Sequence, residues 1–345
     1  AVDMDEILRM QKDEANSAFV KYIKKNYENW FEETAERPLM SQDVMKKKVL
    51  PLLDNGEKVF FIVFDNFRFD QWRIIRELLS KDFLCEEEGL YCSMLPTSTQ
   101  YSRNAIFSGL LPVQIKQLYP QYWVEENDEE SKNMYESELI GTFFERYRKK
   151  YTYSYNKIND SGAATKYVSE LKKLKDKDLN VVVFNFVDML SHARTDSKMI
   201  RELASTDAAY RSLTETWFKH SAIKEFFMAL KELDCKVVLT TDHGTIHVRN
   251  AIKVIGDKNT NANLRYKVGK NLDYNAKEVL AIKKPEQVGL PSPNISSAYI
   301  FATNDDFFAY PNNYNYYVQY YKNTFQHGGV SLEEMMLPIV TMKKL

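Results

Sequence analysis

Aspartate and histidine residues recur at the ends of apolar segments in this chain. The run VFFIVFD ends at Asp65, NVVVFNFVD ends at Asp188, and CKVVLTTD ends at Asp242. His243 directly follows Asp242, and His192 follows Asp188 by four residues in DMLSH, which would put both side chains on one face of a helix. Carboxylate oxygens and imidazole nitrogens suit Zn²⁺ and also accept Mn²⁺. The pattern therefore indicates a metal site.

A third histidine, His327, precedes two glycines in FQHGGVSLEEMMLP, where a flexible turn would let the imidazole approach a site closely. Three aspartates and three histidines fit two metal ions better than one, because a tetrahedral zinc ion takes four ligands. A single aspartate after a strand is more often a turn or N-cap residue. Its recurrence on three strands favours the metal site.

The candidate nucleophile lies in LPTSTQYSRNAIFSG. This pattern predicts a short helix over about 100–108, with Gly109 at its end. A threonine hydroxyl at the helix N-terminus would lie beside unpaired backbone N–H groups that favour a phosphate, and a cation could activate it. The alternative is helix capping by Thr97 or Thr99.

Two polar residues follow in the same predicted helix. Arg103 and Asn104 could bind the non-bridging oxygens of a phosphate. Arg103 could equally be an outward-facing helix residue, and Asn104 a polar group that packs the helix. The sequence leaves both alternatives open.

The order of apolar and helical patterns along the sequence predicts the elements that would position these residues. From about residue 57, short apolar runs alternate with helical patterns, which indicates an α/β fold with a mostly parallel sheet flanked by helices. Ligands of such sheets bind outside the carboxyl ends of the strands. We therefore expect Asp65, Asp188 and Asp242 to converge on one edge of the sheet.

Residues 1–45 are predicted to form a short helical segment, and residues 46–345 the main domain. The segment could be the end of a helical bundle or a linker with a dimer contact, or simply a helix packed on the main domain. Regions near 115–165 and 255–320 are rich in Tyr, Asn and Lys and are expected to be insertions. Their tyrosines could stack on nucleobases or form a packed cap.

Composition narrows the function classes. The 345 residues carry a formal net charge of −1, so no global basic field would hold long nucleic acid. Cys85, Cys92 and Cys235 lack CxxC spacing and indicate thiols of a reducing compartment. No apolar run reaches about 18 residues, so a cytoplasmic protein without a membrane partner is expected. Because the chain begins with Ala1, we expect a fragment of a longer protein.

Five segments together resemble the PglZ branch of the alkaline phosphatase superfamily: FDNFRFDQW, LPTSTQYSRNAIFSG, VDMLSH, TTDHGT and QHGGVSLEEMMLP. The resemblance runs from about Val59 to Pro338 and is strongest to the C-terminal effector regions of PorX-type response regulators, which are associated with type IX secretion. It implies an alkaline-phosphatase-like fold and a phosphate-ester hydrolase with two metal ions, usually zinc.

The resemblance also implies roles for individual residues. Asp188, His192 and His327 would hold one metal ion. The other ion would be held by Asp65, Asp242, His243 and the Thr99 hydroxyl. Thr99 is preferred to Thr97 as the nucleophile because it occupies the nucleophile position of the family's PTxT pattern, which spacing alone could not decide.

The function implied is a zinc phosphodiesterase acting on nucleotide-type diesters, such as cyclic or short linear oligonucleotides. Alternatives are a phosphomonoesterase or phosphomutase in which Arg103 clamps the extra oxygen, and a signalling module with a structural zinc site. Sulfatase chemistry is disfavoured because CSMLPTS lacks the CxPxR setting that formylglycine formation needs.

The resemblance further implies partners. These are an upstream receiver domain with its sensor histidine kinase, a second copy of the chain on activation, and type IX secretion or sigma-factor components.

Overall fold

A computed structural model describes residues 3–126, 128, 130–186, 204–257 and 260–345. The predicted metal ligands Asp188 and His192 lie outside the described residues. The strands of the described part are β1 (Val59–Phe64), β2 (Phe83–Cys92), β3 (Tyr153–Ile158), β4 (Leu179–Phe184), β5 (Lys236–Thr241), β6 (Ile246–His247), β7 (Asn250–Lys253), β8 (Tyr266–Gly269), β9 (Val279–Ile282), β10 (Ala298–Ala302), β11 (Asp306–Ala309), β12 (Phe325–Gln326) and β13 (Met336–Lys344).

The central sheet has six strands in the order β2-β13-β5-β1-β4-β3. Strand β1 pairs in parallel with β4 and β5, and β3 pairs in parallel with β4. Only β13 runs antiparallel, to both β5 and β2. The predicted α/β fold with a mostly parallel sheet flanked by helices is therefore confirmed.

Helices cover both faces of this sheet. They are α1 (Met4–Asn26), α2 (Leu50–Asp54), α3 (Phe69–Leu79), α4 (Thr99–Ser108), α5 (Pro112–Leu118), α6 (Glu136–Arg146), α7 (Ser161–Leu174), α8 (Asp207–His220), α9 (Ala222–Leu230), α10 (Tyr314–Tyr321) and α11 (Leu332–Met335). Short 3₁₀ or π turns lie at Glu28–Phe31, Ser41–Asp43, Met45–Val49, Pro120–Tyr122, Ala276–Glu278 and Pro285–Val288.

Strand β1 shows why the apolar runs form the centre of the fold. All six of its side chains are buried, as expected for a strand covered on both faces. Because side chains alternate across a strand, Phe60 and Phe64 pack with α3, α7, α8 and α9, whereas Phe61 and Val63 pack with α4 and α6. Two apolar cores thus hold the strand in place, and its carboxyl end is set at the sheet edge.

The two tyrosine-rich regions differ in their relation to this sheet. Strand β3, which lies within 115–165, forms the edge of the central sheet. The 255–320 region contributes the separate antiparallel sheet β8-β10-β9. Its Tyr266 and Tyr299 are buried against Tyr101, which agrees with a packed cap, whereas the rings of Tyr316 and Tyr320 on α10 are exposed.

The N-terminal segment contains one long helix, α1, which packs on residues of the main domain. Asp3 caps α1 by accepting a hydrogen bond from the Asp5 N–H. Val20 and Ile23 are buried in an apolar cluster with residues of α4 and β10. The opposite end of the helix exposes Leu8. A dimer contact through α1 stays a prediction.

A membrane-crossing helix is not found among the described residues, since none of their helices is both long enough and apolar enough.

The packing of α1 on the main domain can be tested by making the same isoleucine-to-alanine substitution at two positions of the helix. Ile23 is 0% exposed, whereas Ile7 is 38% exposed. Ile23→Ala is expected to lower the free energy of unfolding by about 2–5 kcal/mol through lost burial and a residual cavity. Ile7→Ala should change it by less than about 0.5 kcal/mol. Urea denaturation measures both, and equal effects of the two substitutions would contradict the packing described here.

Candidate active site

Asp65 and Asp242 lie side by side at the carboxyl edge of the central sheet. Strands β1 and β5 pair in parallel with Phe64 opposite Thr241, so the residues that follow them are neighbours. The two loops are tied together, because the Phe67 N–H donates to the carbonyl of His243 at 2.9 Å. The expected convergence of strand-end aspartates is therefore observed for these two.

Asp242 is a buried carboxylate with one unused oxygen. Its side chain is 0% exposed, and Oδ1 accepts the backbone N–H groups of Asn66 and His243 at 3.0 and 2.9 Å. Oδ2 has no hydrogen-bond partner among the described residues. Burial, together with the neighbouring charge of Asp65, raises the pKa of Asp242 well above its usual value. A carboxylate in this setting needs a cation to stabilise its charge.

Asp65 is the more readily ionised of the two carboxylates. Burial opposes its ionisation, but the guanidinium of Arg103 holds the pKa of Asp65 below its usual range. Arg103 Nη1 lies 3.1 Å from Asp65 Oδ1. The site therefore combines a readily ionised carboxylate with one that ionises only beside a cation.

Thr99 is the first residue of α4 and faces both loops. Its Oγ1 lies 3.0 Å from Asp65 Oδ1 and 3.1 Å from His243 Nε2. Ser98 is the N-cap residue, and its side chain makes no capping hydrogen bond. The Thr97 hydroxyl lies against Glu334 and Gly329 instead, at 3.0 and 2.9 Å. Neither threonine caps the helix by these contacts, and the predicted end of the helix at Gly109 is observed, with φ at 68°.

The tautomer of His243 follows from its backbone contact. Nδ1 lies 2.9 Å from the carbonyl oxygen of Gly244, which can only accept, so Nδ1 carries the proton. Nε2 then directs its lone pair towards Thr99. Burial, and next the nearby His327, lower the pKa of His243 to about 3. A neutral imidazole with a fixed Nδ1–H is the form that binds a metal ion.

His327 is oriented in the same way from a different loop. Its Nδ1 lies 2.9 Å from the carbonyl oxygen of Thr97 and donates to it. Its ring stacks on that of His243, with the ring centroids 4.0 Å apart. The turn after β12 thus brings a second imidazole to the carboxyl edge of the sheet.

The donor set of this site fits a divalent metal ion. Ligand atoms of Asp65, Asp242 and His243 all lie within 4.8 Å of one another. With Thr99 and His327, the structure brings together five of the seven predicted metal ligands; Asp188 and His192 lie outside the described residues. The assignment of these residues to two metal ions stays a prediction.

Arg103 is neither an outward-facing residue nor a free cation. It is 2% exposed, and its Nε donates to Glu136, which is 0% exposed and also accepts from the Tyr155 hydroxyl. Two carboxylates thus share one guanidinium, because Nη1 pairs with Asp65. Sequence reasoning missed Glu136, which lies outside the motifs and has no distinctive spacing.

Asn104 has the contacts of a helix-packing residue. Its Nδ2 donates to the carbonyl oxygens of Gln100 and Lys132, at 2.8 and 3.1 Å. It is 1% exposed. Both amide hydrogens therefore have acceptors within the protein, and the expected contact of Asn104 with a phosphate oxygen stays a prediction. The residue that does reach Thr99 is Asn133, whose Nδ2 donates to the Thr99 carbonyl oxygen at 3.1 Å.

The surroundings of Gly244 explain why the DHG turn has a glycine at this position. A Cβ atom at this position would lie 1.8 Å from the carbonyl oxygen of Glu333. The Gly244 N–H donates to the carbonyl oxygen of Glu334 at 3.0 Å. The close approach of the two backbones therefore requires glycine beside His243.

Solved structures of similar fold include a nucleotide phosphodiesterase family member and a phosphonate hydrolase. Mouse ectonucleotide pyrophosphatase/phosphodiesterase 5 is 12% identical, with a TM-score of 0.55 over 83% of this chain and 88% of that chain. An inactive threonine-to-alanine variant of that enzyme, solved with AMP, has a TM-score of 0.52 at 12% identity, over 83% and 87% of the two chains. Phosphonoacetate hydrolase from Sinorhizobium meliloti is 11% identical, with a TM-score of 0.52 over 83% and 89%. These similarities concern the fold.

Comparison with curated protein sequences gives no match. Family models match two parts of the chain. Residues 1–31 match the PorX response regulator linker domain. Residues 44–342 match the PglZ alkaline phosphatase-like domain of the BREX system. Because this second match spans most of the chain, the protein belongs to the PglZ family of alkaline phosphatase-like domains.

Proposed function

We propose that the protein is a two-metal, zinc-dependent phosphodiesterase that acts on nucleotide-type diesters, such as cyclic or short linear oligonucleotides. Thr99 is the nucleophile, and the domain serves as the effector of a two-component response regulator. The observation that carries the proposal is the Thr99 hydroxyl placed between Asp65 Oδ1 and His243 Nε2. Beside them lies a buried Asp242 oxygen that has no hydrogen-bond partner within the described residues. The fold and the PglZ family support a phosphoester hydrolase.

Each part of the proposed reaction is assigned to a particular group in the site. Two divalent cations, when bound, supply the positive charge that lowers the pKa of the hydroxyl and neutralises the phosphoryl group. Thr99 Oγ1 forms the bond to phosphorus as the alcohol oxygen leaves, and water then cleaves the phosphothreonine ester. Asp65 Oδ1 accepts the hydroxyl hydrogen in the resting state. The N-terminus of α4, where Thr99 lies, favours the anionic phosphate.

The pairing of Arg103 supports a diester substrate over a monoester. A monoester carries one more charged oxygen than a diester, and a free arginine could bind it in bidentate fashion. Arg103 is instead shared between Asp65 and Glu136 and is 2% exposed. Its charge is therefore already matched within the protein. A phosphomonoesterase or phosphomutase is the alternative that the experiments below would reveal.

The N-terminal helix supports a regulatory setting. Residues 1–31 match a response regulator linker domain. Helix α1 contacts the start of α11. Asn16 Oδ1 accepts the Leu332 N–H at 2.8 Å, and its Nδ2 donates to Glu333 at 3.0 Å. We therefore propose that an upstream receiver domain, addressed by a sensor histidine kinase, acts through α1, with homodimerisation on activation. Type IX secretion or sigma-factor components are the proposed downstream partners.

The role of Thr99 predicts a separation between metal binding and turnover. Thr99→Ala is expected to reduce hydrolysis of a nitrophenyl diester by at least about 1,000-fold, or about 4 kcal/mol, because the nucleophile is lost. Zinc content should persist, since the aspartates and histidines remain. Elemental analysis and steady-state kinetics measure the two properties. Thr165→Ala, an exposed threonine on α7, is the matched control.

Two results would contradict this prediction. Undiminished hydrolysis by Thr99→Ala would remove the nucleophile assignment. A wild-type protein that binds zinc without hydrolysing diesters would favour a signalling module with a structural metal site.

The role of Arg103 predicts equal losses on two substrates. If Arg103 holds Asp65 in place, Arg103→Met should lower kcat/KM for a nitrophenyl diester and the matching monoester by the same factor, about 10–100-fold. Wild type should prefer the diester. A selective loss of monoester hydrolysis in the variant would show that Arg103 clamps the substrate, and a wild-type preference for the monoester would contradict the diester proposal. Circular dichroism of the variant checks that it has folded.

A further inference from the structure

Glu334 is a fully buried carboxylate at which several segments of the candidate site meet. Its side chain is 0% exposed and lies on the short helix α11. Oε2 accepts the backbone N–H groups of Gly328 and Gly329, at 2.9 and 2.6 Å. The Thr97 hydroxyl lies 3.0 Å from the same oxygen. Oε1 accepts from the Ser331 hydroxyl at 2.9 Å and from Arg265, whose Nε lies 3.1 Å away.

These contacts join the three segments that carry Thr99, His243 and His327. Gly328 directly follows His327, and Thr97 precedes Thr99 by two residues. The third segment is attached through the backbone, because the Gly244 N–H donates to the Glu334 carbonyl oxygen. A single residue therefore contacts the nucleophile loop, the DHG turn and the His327 loop.

The orientation of His327 depends on this junction. The His327 ring is held by the carbonyl oxygen of Thr97, and Thr97 in turn packs its hydroxyl against Glu334. The Thr97 N–H also donates to the Gly328 carbonyl oxygen at 3.3 Å. The two loops thus face each other across the Glu334 carboxylate. Without the Glu334 carboxylate, neither the orientation of the His327 imidazole nor the position of the residues before Thr99 would be fixed.

We propose that Glu334 is a positioning residue that sets the relative placement of Thr99, His243 and His327 for metal binding and catalysis. It acts through Thr97, Gly328 and Gly244 and does not touch the substrate. The inference deepens the proposed function and rests on it. A carboxylate is required because Oε1 faces the Arg265 guanidinium and Oε2 faces two backbone N–H groups, none of which can accept a hydrogen bond. The amide of glutamine would direct N–H groups either at Arg265 or at the glycine N–H groups.

The alternative role for Glu334 is a buried ion pair that only stabilises the fold. Arg265 is 0% exposed and pairs with Oε1. Removing one member of a buried pair leaves an uncompensated charge, whereas removing both restores the charge balance. The double variant Arg265→Met with Glu334→Gln therefore separates the two roles. The matched control is Glu333→Gln, since Glu333 is the preceding residue and its side chain contacts Asn16 and Lys12 of α1.

The test compares wild type, Glu334→Gln, the double variant and Glu333→Gln. Zinc affinity is measured by competition with a chromophoric chelator, and kcat and KM are measured with a nitrophenyl diester. Glu334→Gln should weaken zinc binding by about 10–100-fold and lower kcat more than KM changes. The double variant should regain the Tm of the metal-free protein but not the zinc affinity. Glu333→Gln should stay within about twofold of wild type on all measures.

Two outcomes would overturn the positioning role. One is wild-type zinc affinity and kcat in Glu334→Gln. The other is recovery of zinc affinity and kcat in the double variant together with Tm, which would reduce Glu334 to a partner of Arg265.

Hydrogen exchange of the Gly328 and Gly329 amides in the metal-free protein tests the role of Glu334 independently of the proposed function. Exchange should accelerate in Glu334→Gln even if the wild-type protein binds no zinc and hydrolyses no diester, a result that would refute only the proposed function. Unchanged exchange would refute the inference alone.

Discussion

The rest of this site depends on two carboxylates held side by side in a buried environment. The parallel register of β1 and β5 makes Asp65 and Asp242 neighbours, and the apolar side chains of β1 on both faces of the sheet prevent either strand end from moving into solvent. Two like charges in such a place are costly unless a cation or a proton compensates them. Arg103 compensates Asp65, whereas Oδ2 of Asp242 has no hydrogen-bond partner in the part of the chain that the structure describes.

The other parts of the site are arranged around this constraint. Helix α4 begins at the carboxylates and presents Thr99 to them. The rings of His243 and His327 are each oriented by a backbone carbonyl oxygen that accepts from Nδ1, and Nε2 of His243 faces Thr99. Buried Glu136 and Glu334 support this arrangement from outside, one through Arg103 and the other through the loops of Thr97 and His327. The groups proposed to contact a substrate are thus few, and their placement depends on the buried residues behind them.

The fold and the inner part of the site could be read from the sequence because both rest on local patterns. Apolar runs ending in aspartate predicted the parallel sheet and the adjacent Asp65 and Asp242, and Gly109 predicted the end of α4. The pairing of Arg103 with Glu136 could not be predicted, since it joins two helices and leaves no spacing signal. Glu334 lies in a recognised motif, but its role requires contacts with Thr97, Gly328 and Gly244 that only the folded chain creates. The predicted roles of Asp188 and His192 concern residues outside the described part.

The most direct measurement of the central claim is a crystal structure of the zinc-loaded protein with anomalous diffraction at the zinc edge. The account predicts two peaks about 3.5–4 Å apart. One zinc ion would be bound by Asp65, Asp242, His243 and the Thr99 oxygen. The other would be bound by His327 together with Asp188 and His192. A single peak away from Thr99, or zinc bound only at surface residues, would contradict the account.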